Sequence, residues 1–243
     1  MKLFQYWDTA DPPAEVAGWI ENVRASNPDL EHRLFDRDQA SWFIGKHFGP
    51  RHRRAFDACA APAMQSDYFR LCALKRSGGV YLDADFWCLK PLAPLLDSAP
   101  HGLLESRGVQ IVNGLMFIRA PHDPFVEACL QLCTINVEQR DIPNVYTATG
   151  PGVLCALQAV LRPETAAPLL AEMDNYLQAG WRFPALLERA RREIPVTEAL
   201  ARAFDAITLL PKGALKSWIG KTDPAYKQTP RHWLNWPGSI YAD

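Results

Sequence analysis

The residues of this chain that could carry chemistry gather around one junction between a predicted helix and a predicted strand. Asp67 and Arg70 lie three positions apart in a helical stretch, so they share one face of that helix. Asp83 and Asp85 lie two positions apart in extended chain, so their carboxylates point the same way. Oxygen ligands of this kind suit Mg²⁺ or Mn²⁺, and such an ion can clamp a diphosphate. The spacing therefore indicates a metal-assisted diphosphate site.

Each half of this pattern has an ordinary structural explanation when it stands alone. An isolated Asp-x-Asp is common in loops and helix caps, and an Asp/Arg pair three apart is usually a solvated ion pair of small value. Here the two halves flank Gly78 and Gly79, which end the predicted helix because glycine readily takes left-handed geometry. The same glycines would let the backbone come close to a ligand. The combination favours a functional site over coincidence.

The elements that must position these residues are predicted as alternating strands and helices. The pattern predicts a strand at Lys2 to Trp7, a helix with an apolar stripe at Ala14 to Ala25, and a second strand at Leu30 to Phe35. Such a β-α-β unit is typical of a parallel sheet covered by helices. A helix from Ala63 to Ser77 and a strand from Val80 to Leu82 follow. The acidic pair thereby falls at the C-terminal end of a strand, where open α/β sheets bind ligands.

The second half of the chain predicts more helix than strand. A strand is expected from Val109 to Arg119 and a helix from His122 to Thr134, and the stretch from Pro151 to Phe204 is mostly helical. Ile207 to Leu210 predicts a last strand, and the tail from Lys212 to Asp243 shows no periodicity. No linker or internal repeat divides the chain, so we expect one domain that spans its whole length.

Composition narrows the classes of function. The chain has 243 residues, of which 48% are hydrophobic and 22% charged, as in ordinary globular proteins. Its 26 basic and 27 acidic residues give a net charge of −1, which argues against a protein that grips nucleic acid or an anionic membrane. The first residues match neither a secretory signal nor a membrane span, and the six cysteines contain no CxxC pair. We therefore expect buried reduced thiols, a cytoplasmic location and at most peripheral contact with a membrane.

The acidic site also carries a family resemblance. Asp67-x-x-Arg70 and the run GGVYLDAD, from Gly78 to Asp85, resemble the signature of the sugar-binding DXD glycosyltransferases. The match is to glycosyltransferase family 32, which includes initiating mannosyltransferases and bacterial capsular-polysaccharide transferases, with the glucosylating toxins as more distant relatives. Further similar segments extend the resemblance over most of residues 3 to 155: Gln5-Tyr6-Trp7, Asn27 to Asp36, Asn113 to Pro124 and Thr149-Gly150-Pro151.

The resemblance implies a fold and a reaction class. The implied fold is GT-A, an α/β domain with a Rossmann-like, mixed, mostly parallel sheet flanked by helices and a helical C-terminal part. Residues 1–120 would form the core that binds the nucleotide-sugar, and residues 121–243 a mainly helical acceptor and lid part. The implied reaction uses a nucleotide-sugar donor and a divalent metal, Mn²⁺ or Mg²⁺, and retains the anomeric configuration.

The resemblance also implies roles for single residues. Trp7 would stack on the nucleobase with Gln5 beside it, and Asp67 and Arg70 would contact the donor sugar and the ribose. Asp83 would bridge ribose, sugar and metal-bound water. The implied catalytic set is Asp67, Arg70, Asp83 and Asp85; the implied metal ligands are Asp85, Asp83 and His232; and the donor site would also include Gly79, Tyr81, Asn113 and Ser239, the last facing a β-phosphate oxygen.

Two departures from the family pattern lie near the ends of the chain. Relatives end their last motif with Gly-Ser-Trp, where this chain has Ile240 after Ser239, and Phe4 stands where relatives have a histidine. The closure of the C-terminal segment over the diphosphate is therefore open. Lysines and tryptophans of the tail form either a basic aromatic lid over the donor phosphates or a packed tail with solvated lysines: Lys212, Lys216, Lys221, Lys227, Trp218, Trp233 and Trp236.

These observations predict a retaining, metal-dependent glycosyltransferase. The donor is expected to be a UDP-sugar, with a GDP-sugar as the alternative, and the acceptor a glycan or glycolipid in surface polysaccharide synthesis. A second hypothesis is a GT-A-like module that binds nucleotide or glycan without turnover. A third is a haloacid-dehalogenase-like phosphatase, but that chemistry wants a small hydroxyl or β-branched residue where this chain has Trp87.

Overall fold

A computed structural model of the chain describes residues 1–98, 101–106, 110–176, 182–221, 225–229 and 232–242. Its centre is a six-stranded sheet in the spatial order β2-β1-β3-β6-β5-β7. The strands of this sheet are β1 (Lys2–Tyr6), β2 (Glu31–Phe35), β3 (Gly79–Leu82), β5 (His101–Ser106), β6 (Gln110–Ile118) and β7 (Ile207–Pro211).

The sheet is mixed, with parallel pairs in the majority. β1 pairs in parallel with both β2 and β3, and β5 pairs in parallel with β7. Only β6 runs against its neighbours, β3 and β5. A separate antiparallel ribbon joins β4 (Phe86–Cys88) to β8 (Ile219–Lys221). The predicted α/β fold with a mixed, mostly parallel sheet is confirmed.

Helices cover the sheet and fill most of the C-terminal half. They are α1 (Ala14–Ser26), α2 (Arg37–Phe48), α3 (Pro50–Asp57), α4 (Pro62–Ser77), α5 (Ala93–Asp97), α6 (Pro124–Gln139), α7 (Val145–Ala148), α8 (Pro151–Leu161), α9 (Ala166–Tyr176), α10 (Phe183–Glu193) and α11 (Glu198–Asp205). None of the described helices is both long enough and apolar enough to cross a bilayer.

The sequence prediction of single elements is close where periodicity is strong. The predicted helix at Ala14 to Ala25 corresponds to α1, and β6 covers the predicted strand within one residue, with Val109 outside the described part of the chain. The helix predicted from His122 begins instead at Pro124, because Asp123 Oδ1 caps it by accepting hydrogen bonds from two backbone N–H groups. The sequence pattern does not predict β4, β5 or β8.

The turn between α4 and β3 decides where the site lies. Gly78 and Gly79 take φ values of 61° and 104°, and a Cβ on Gly79 would lie 2.5 Å from the Lys2 carbonyl oxygen. Only glycine fits this tight reversal, which lays α4 back along β3. The ~15 Å from Asp67 to the end of α4 nearly matches the ~13 Å length of β3. The N-terminal half of α4 therefore lies beside the C-terminal end of β3.

The cysteines are part of the packed interior. All six are buried and free of disulfide bonds, and burial raises the pKa of thiols such as Cys72 and Cys129 well above the usual range. A thiol that stays protonated is a poor nucleophile and a poor metal ligand. The expectation of buried reduced thiols is confirmed.

Candidate active site

A cavity of about 300 Å³ opens at the C-terminal ends of β1 and β3. Its walls come from these two strands, from the N-terminal half of α4, from β6, from the region of α7 and α8, and from the C-terminal segment. The polar lining residues are Asp8, Ser66, Asp67, Arg70, Asp83, Asp85, Asn113, Lys227 and His232, and the apolar and aromatic ones are Tyr6, Trp7, Pro62, Ala63, Ala84, Val145, Tyr146 and Pro151.

Arg70 is the central member of the charged network at the cavity. Its Nη2 atom is 3.0 Å from Asp67 Oδ1 and 3.0 Å from Asp83 Oδ1, and it donates to Ser66 Oγ at 2.9 Å. The guanidinium group is centred 4.4 Å from the middle of the Tyr81 ring. With only 3% of the residue exposed, the cation is held in one geometry by its neighbours.

Asp67 is the buried anchor of this arginine. Its Oδ1 accepts a hydrogen bond from the Asn113 amide at 2.8 Å, and its Oδ2 accepts one from the Thr149 hydroxyl at 3.3 Å. Burial raises the pKa of Asp67 to about 6, although the charge of Arg70 lowers it in part. Asn113 also accepts from Arg70 through its backbone carbonyl, so it ties the helix to β6.

Asp83 is a member of the charged network that is accessible from the cavity. One oxygen, Oδ1, pairs with Arg70, while 27% of the side chain remains exposed toward the cavity. A methyl group on Gly114 would lie 2.8 Å from the other oxygen, so the strand beside Asp83 needs a glycine. The backbone of Asp83 is fixed by hydrogen bonds to Gly114 and, at 3.4 Å, from the Gln5 amide. The carboxylate is thus presented to the cavity by a rigid frame.

Asp85 pairs with a lysine from the C-terminal segment. Lys227 Nζ lies 2.8 Å from Asp85 Oδ2, and both side chains are largely buried. Lys227 belongs to a 3-10 turn, Ala225–Gln228, and its backbone carbonyl accepts a hydrogen bond of 2.8 Å from the Asn235 amide. Lys227 lines the cavity, as the lid alternative for the tail requires. Lys216 is exposed and does not line the cavity, and the Lys221 side chain is outside the described structure.

The carboxylates at the cavity fit a divalent ion that takes its remaining ligands from substrate and water. Asp83 and Asp85 offer hard oxygens to one cavity, and the ammonium group on Asp85 shows that this carboxylate accepts a cation there. Among the described residues, no group of three or more His, Cys, Asp or Glu side chains is gathered to hold a metal. His232 lines the cavity without completing such a group. Mg²⁺ is commonly held by one or two carboxylates together with substrate phosphates and water, which is what this site offers.

Four residues expected at the donor do not line the cavity, so their direct contacts with the donor stay predictions. Gln5 is fully buried and pairs with His32 at 2.8 Å. Gly79 lies at the opposite end of β3, and Tyr81 lies beneath Arg70 with its hydroxyl 2.6 Å from Ser66 Oγ. The buried Gln5 and Tyr81 side chains support residues that line the cavity, whereas Gly79 belongs to the turn at the start of β3.

Ser239 is the fourth of these residues. It is exposed, and its Oγ accepts a hydrogen bond from the Tyr241 backbone at 3.1 Å. The residue after it, Ile240, is buried, and its carbonyl accepts a hydrogen bond from Ala60 at the approach to α4. The departure from the family's Gly-Ser-Trp ending thus places an apolar side chain in the core, and the described structure gives Ser239 no contact with the cavity.

Trp7 occupies the end of β1 at the cavity. It is 9% exposed, packs with Val16, Ile20 and Ala84, and lines the cavity. The ring is therefore part of the core and also part of the cavity lining.

Sequence reasoning assigned no role to several residues that complete the site. Thr149 was noted only as part of a similar segment, although its hydroxyl reaches Asp67. Ser66 directly precedes Asp67 and helps to hold Arg70, and Gly114 follows Asn113. Their adjacency to predicted site residues is the only sequence signal that could have found the last two. Tyr146 and Pro151 join the wall from more than 60 positions away, where spacing carries no information.

The comparisons with known proteins agree with this site. Residues 13–101 match the model of a family described as "Glycosyltransferase sugar-binding region containing DXD motif". The matched stretch contains Asp67, Arg70, Asp83 and Asp85. The resemblance inferred from the motifs is confirmed: this part of the chain is similar to the sugar-binding region of the DXD glycosyltransferases.

Similar curated proteins are glycosyltransferases by name. The "Uncharacterized glycosyltransferase L373" of Acanthamoeba polyphaga mimivirus is 27% identical over 141 residues, 57% of this chain and 55% of that protein. "Inositol phosphoceramide mannosyltransferase 1" of Schizosaccharomyces pombe is 26% identical over 163 residues, 61% of this chain and 48% of that protein. "Mannosyl phosphorylinositol ceramide synthase SUR1" of Saccharomyces cerevisiae is 26% identical over 151 residues, 61% of this chain and 39% of that protein. The chain spans about half the length of the first two.

A solved structure supports the fold. "PaToxG Glycosyltransferase" superposes with a TM-score of 0.53 at 16% sequence identity, and the match covers 84% of each chain. At that identity the likeness concerns the backbone arrangement alone, and it agrees with the predicted α/β fold.

Proposed function

We propose that this protein is a metal-dependent, retaining glycosyltransferase that moves a sugar from a nucleotide-sugar to a glycan or lipid-linked acceptor. The observation that carries the proposal is the arrangement of Asp67, Arg70, Asp83 and Asp85. The four side chains line one cavity at the C-terminal end of β3, inside the stretch that matches the DXD family. Open α/β sheets bind nucleotides at this kind of edge.

The donor fits among Trp7 and the charged residues of the cavity. Trp7 offers a flat ring beside the cavity on which a nucleobase can stack. Asp83 and Arg70 offer an acceptor and a donor of hydrogen bonds to ribose and sugar hydroxyl groups. We favour a UDP-sugar because the sequence around Trp7 resembles that of relatives that use UDP-glucose. A GDP-sugar stays as the alternative, and the names of two relatives put mannose among the sugars to test.

The chemistry asks for stabilisation of the departing diphosphate. Bound at Asp83 and Asp85, a divalent ion would supply Lewis-acid stabilisation of that negative charge. Arg70 adds a fixed cation in a site of low polarity, where charge stabilisation is stronger than in water. The remaining contribution is to hold the acceptor hydroxyl close to the anomeric carbon.

Retention of configuration follows in our proposal from attack on the face that the diphosphate leaves. Asp67 is poorly suited to be a nucleophile, because both of its oxygens accept hydrogen bonds and it is buried. Asp83 Oδ1 is held by Arg70. We therefore assign the acceptor's proton to the departing phosphate oxygen.

The acceptor fits against the apolar and aromatic residues of the cavity. Val145, Tyr146 and Pro151 line it, together with Pro62 and Ala63 at the start of α4. Apolar and aromatic surfaces suit the less polar face of a sugar ring or the linkage to a lipid. Two relatives are named for inositol phosphoceramide substrates, which supports a glycolipid acceptor here. We place the reaction in surface polysaccharide or glycolipid synthesis on the cytoplasmic side of the membrane.

Thermal unfolding with a panel of nucleotide-sugars tests the donor class. A ligand that binds the native state raises the apparent melting temperature. We expect UDP-sugars or GDP-sugars to raise it with Mn²⁺ and to do much less without it. A panel in which no nucleotide-sugar has any effect, with or without Mn²⁺, would refute the donor assignment.

One observation favours a second function, a module that binds nucleotide or glycan without turnover. Asp85 already has a lysine as its counter-ion, so a ligand could bind here without a metal. Slow, metal-dependent hydrolysis of the donor in the absence of an acceptor distinguishes the enzyme from such a module. The phosphatase interpretation is not carried further, because the acidic motif lies within a match to a glycosyltransferase family.

A further inference from the structure

The ion pair between Lys227 and Asp85 lies where a metal-binding carboxylate is needed. The ammonium nitrogen is 2.8 Å from Asp85 Oδ2, and the two side chains are 13% and 7% exposed. Both residues line the cavity, as does Asp83. A pair this well shielded from water is much stronger than one at the surface, and it must break before another cation can use the same oxygen.

The lysine is held in this position by its own segment. Asn235 donates one hydrogen bond of 2.8 Å to the Lys227 carbonyl and one of 3.4 Å to the Thr229 carbonyl. These bonds tie the 3-10 turn Ala225–Gln228 to the next turn, Trp233–Asn235. The hydrogen bonds between these two turns therefore fix the position of Lys227 next to Asp85.

We propose that Lys227 is a built-in counter-ion of Asp85 that a divalent cation displaces, and that the displaced ammonium group then binds the diphosphate of the donor. This inference rests on the proposed function and adds an order to binding. Two cations cannot share one buried carboxylate without strong repulsion. The diphosphate removes the conflict, because its own negative charge gives the ammonium group a new partner inside the same cavity.

The exchange couples the two ligands. While Lys227 occupies Asp85, only a fraction of the molecules can accept a cation, and the apparent affinity for the cation alone falls by that fraction. Once a diphosphate is present, the lysine has somewhere to go, and each ligand raises the affinity for the other. The site would thus take up metal and nucleotide together rather than metal alone.

Substitution of Lys227 makes the two affinities move in opposite directions. For Lys227→Ala and Lys227→Gln we expect Mn²⁺ alone to bind about tenfold more tightly than to wild type, measured by calorimetry or by electron paramagnetic resonance of free Mn²⁺. In the same variants we expect UDP or GDP with saturating Mn²⁺ to bind about tenfold more weakly. Lys216→Ala removes an exposed lysine of the same tail and should change neither affinity.

Three outcomes would overturn the inference. Unchanged Mn²⁺ affinity in both Lys227 variants would show that the lysine does not compete with the metal. A parallel fall of both affinities would show a structural role instead, as would an equal change in Lys216→Ala. Tighter Mn²⁺ binding with unchanged binding of UDP and GDP would show that the displaced lysine does not bind the diphosphate.

A separate variant distinguishes failure of this inference from failure of the proposed metal site. Asp85→Asn should abolish Mn²⁺ binding if the proposed function is right, whatever Lys227 does. If wild type and Asp85→Asn bind Mn²⁺ equally, the metal site itself is wrong and the inference falls with it. If Asp85→Asn loses Mn²⁺ while the Lys227 variants match wild type, only the inference falls.

Discussion

Arg70 Nη2 lies 3.0 Å from Asp83 Oδ1, and this contact joins a buried cation to a carboxylate that still faces the cavity. The side chain of Arg70 is 4% exposed and that of Asp83 is 27% exposed. On the buried side the same arginine atom is 3.0 Å from Asp67 Oδ1. The charged network therefore has a closed end that holds it and an open end that can meet a ligand.

Loss of Arg70 should affect both stability and activity. Arg70→Ala leaves the buried carboxylate of Asp67 without its cation, and breaking a buried pair in this way costs about 3–5 kcal/mol. Arg70→Lys keeps the charge but loses the planar fork, so we expect a smaller loss of stability and a fall of about 100-fold in kcat/KM. Urea unfolding and steady-state kinetics measure the two effects. Equal kcat/KM for wild type and Arg70→Lys would contradict the role of the fork.

Asp67 should make stability depend on pH in an unusual direction. Its folded pKa, about 6, is higher than the ordinary 3.8, so the folded state favours the protonated acid. The contribution of Asp67 to stability is thus greatest below pH 4 and is lost as the pH rises to about 6, by about 1–3 kcal/mol. The free energy of unfolding of wild type minus that of Asp67→Asn should fall over this window and level off above it. A difference that rises with pH would show that the folded pKa is lowered.

Gly114 should be required for the position of Asp83. In Gly114→Ala the new methyl group would lie 2.8 Å from Asp83 Oδ2 and 2.8 Å from the Phe86 ring, so the carboxylate must move. We expect a loss of about 1–3 kcal/mol in stability and a larger relative loss in donor binding. Gly18→Ala is the matched control, because nothing lies within 4 Å of its new methyl group in α1. That control should be neutral or more stable by about 0.5–1 kcal/mol, and equal effects of the two variants on donor binding would argue against the packing account.

Gly79 should behave as a structural position. Its φ of 104° and the 2.5 Å from a new Cβ to the Lys2 carbonyl predict that Gly79→Ala destabilises the fold by about 3 kcal/mol or more. Thermal or urea unfolding in the absence of ligand measures this loss. A stable Gly79→Ala variant that fails only in donor binding would restore Gly79 to the donor site.

The charged centre of the site could be predicted from the sequence because its geometry is local. Asp67 and Arg70 share a helix face, Asp83 and Asp85 share an extended segment, and the glycine turn between them sets their distance. No comparable signal marks Thr149, which hydrogen-bonds to Asp67 from a helix end 82 positions away. Contacts of that kind depend on how the helices pack over the sheet.

Some residues whose chemical type suits a ligand do not line the cavity, because their place in the fold directs them elsewhere. Gln5 and Tyr81 have the polar groups that a sugar would bind, yet both side chains are buried and hydrogen-bonded inside the protein. Ser239 kept its place in the motif but not the family's tryptophan after it, and Ile240 packs into the core instead. Residue type alone does not tell whether a side chain lines the cavity or is buried in the core behind it. The boundary between a core at 1–120 and an acceptor part at 121–243 stays a prediction.

The most direct test of the central claim measures release of nucleoside diphosphate from UDP-sugars and GDP-sugars, with Mn²⁺ and without acceptor, by wild type and Asp85→Asn. Asp97→Asn serves as the control for loss of an acidic charge at an exposed position. We expect slow release by wild type and by Asp97→Asn, and at least ~100-fold slower release by Asp85→Asn. Release at the wild-type rate by Asp85→Asn, or no release from any donor by wild type, would contradict the assignment of Asp85 to the metal and of the protein to sugar transfer.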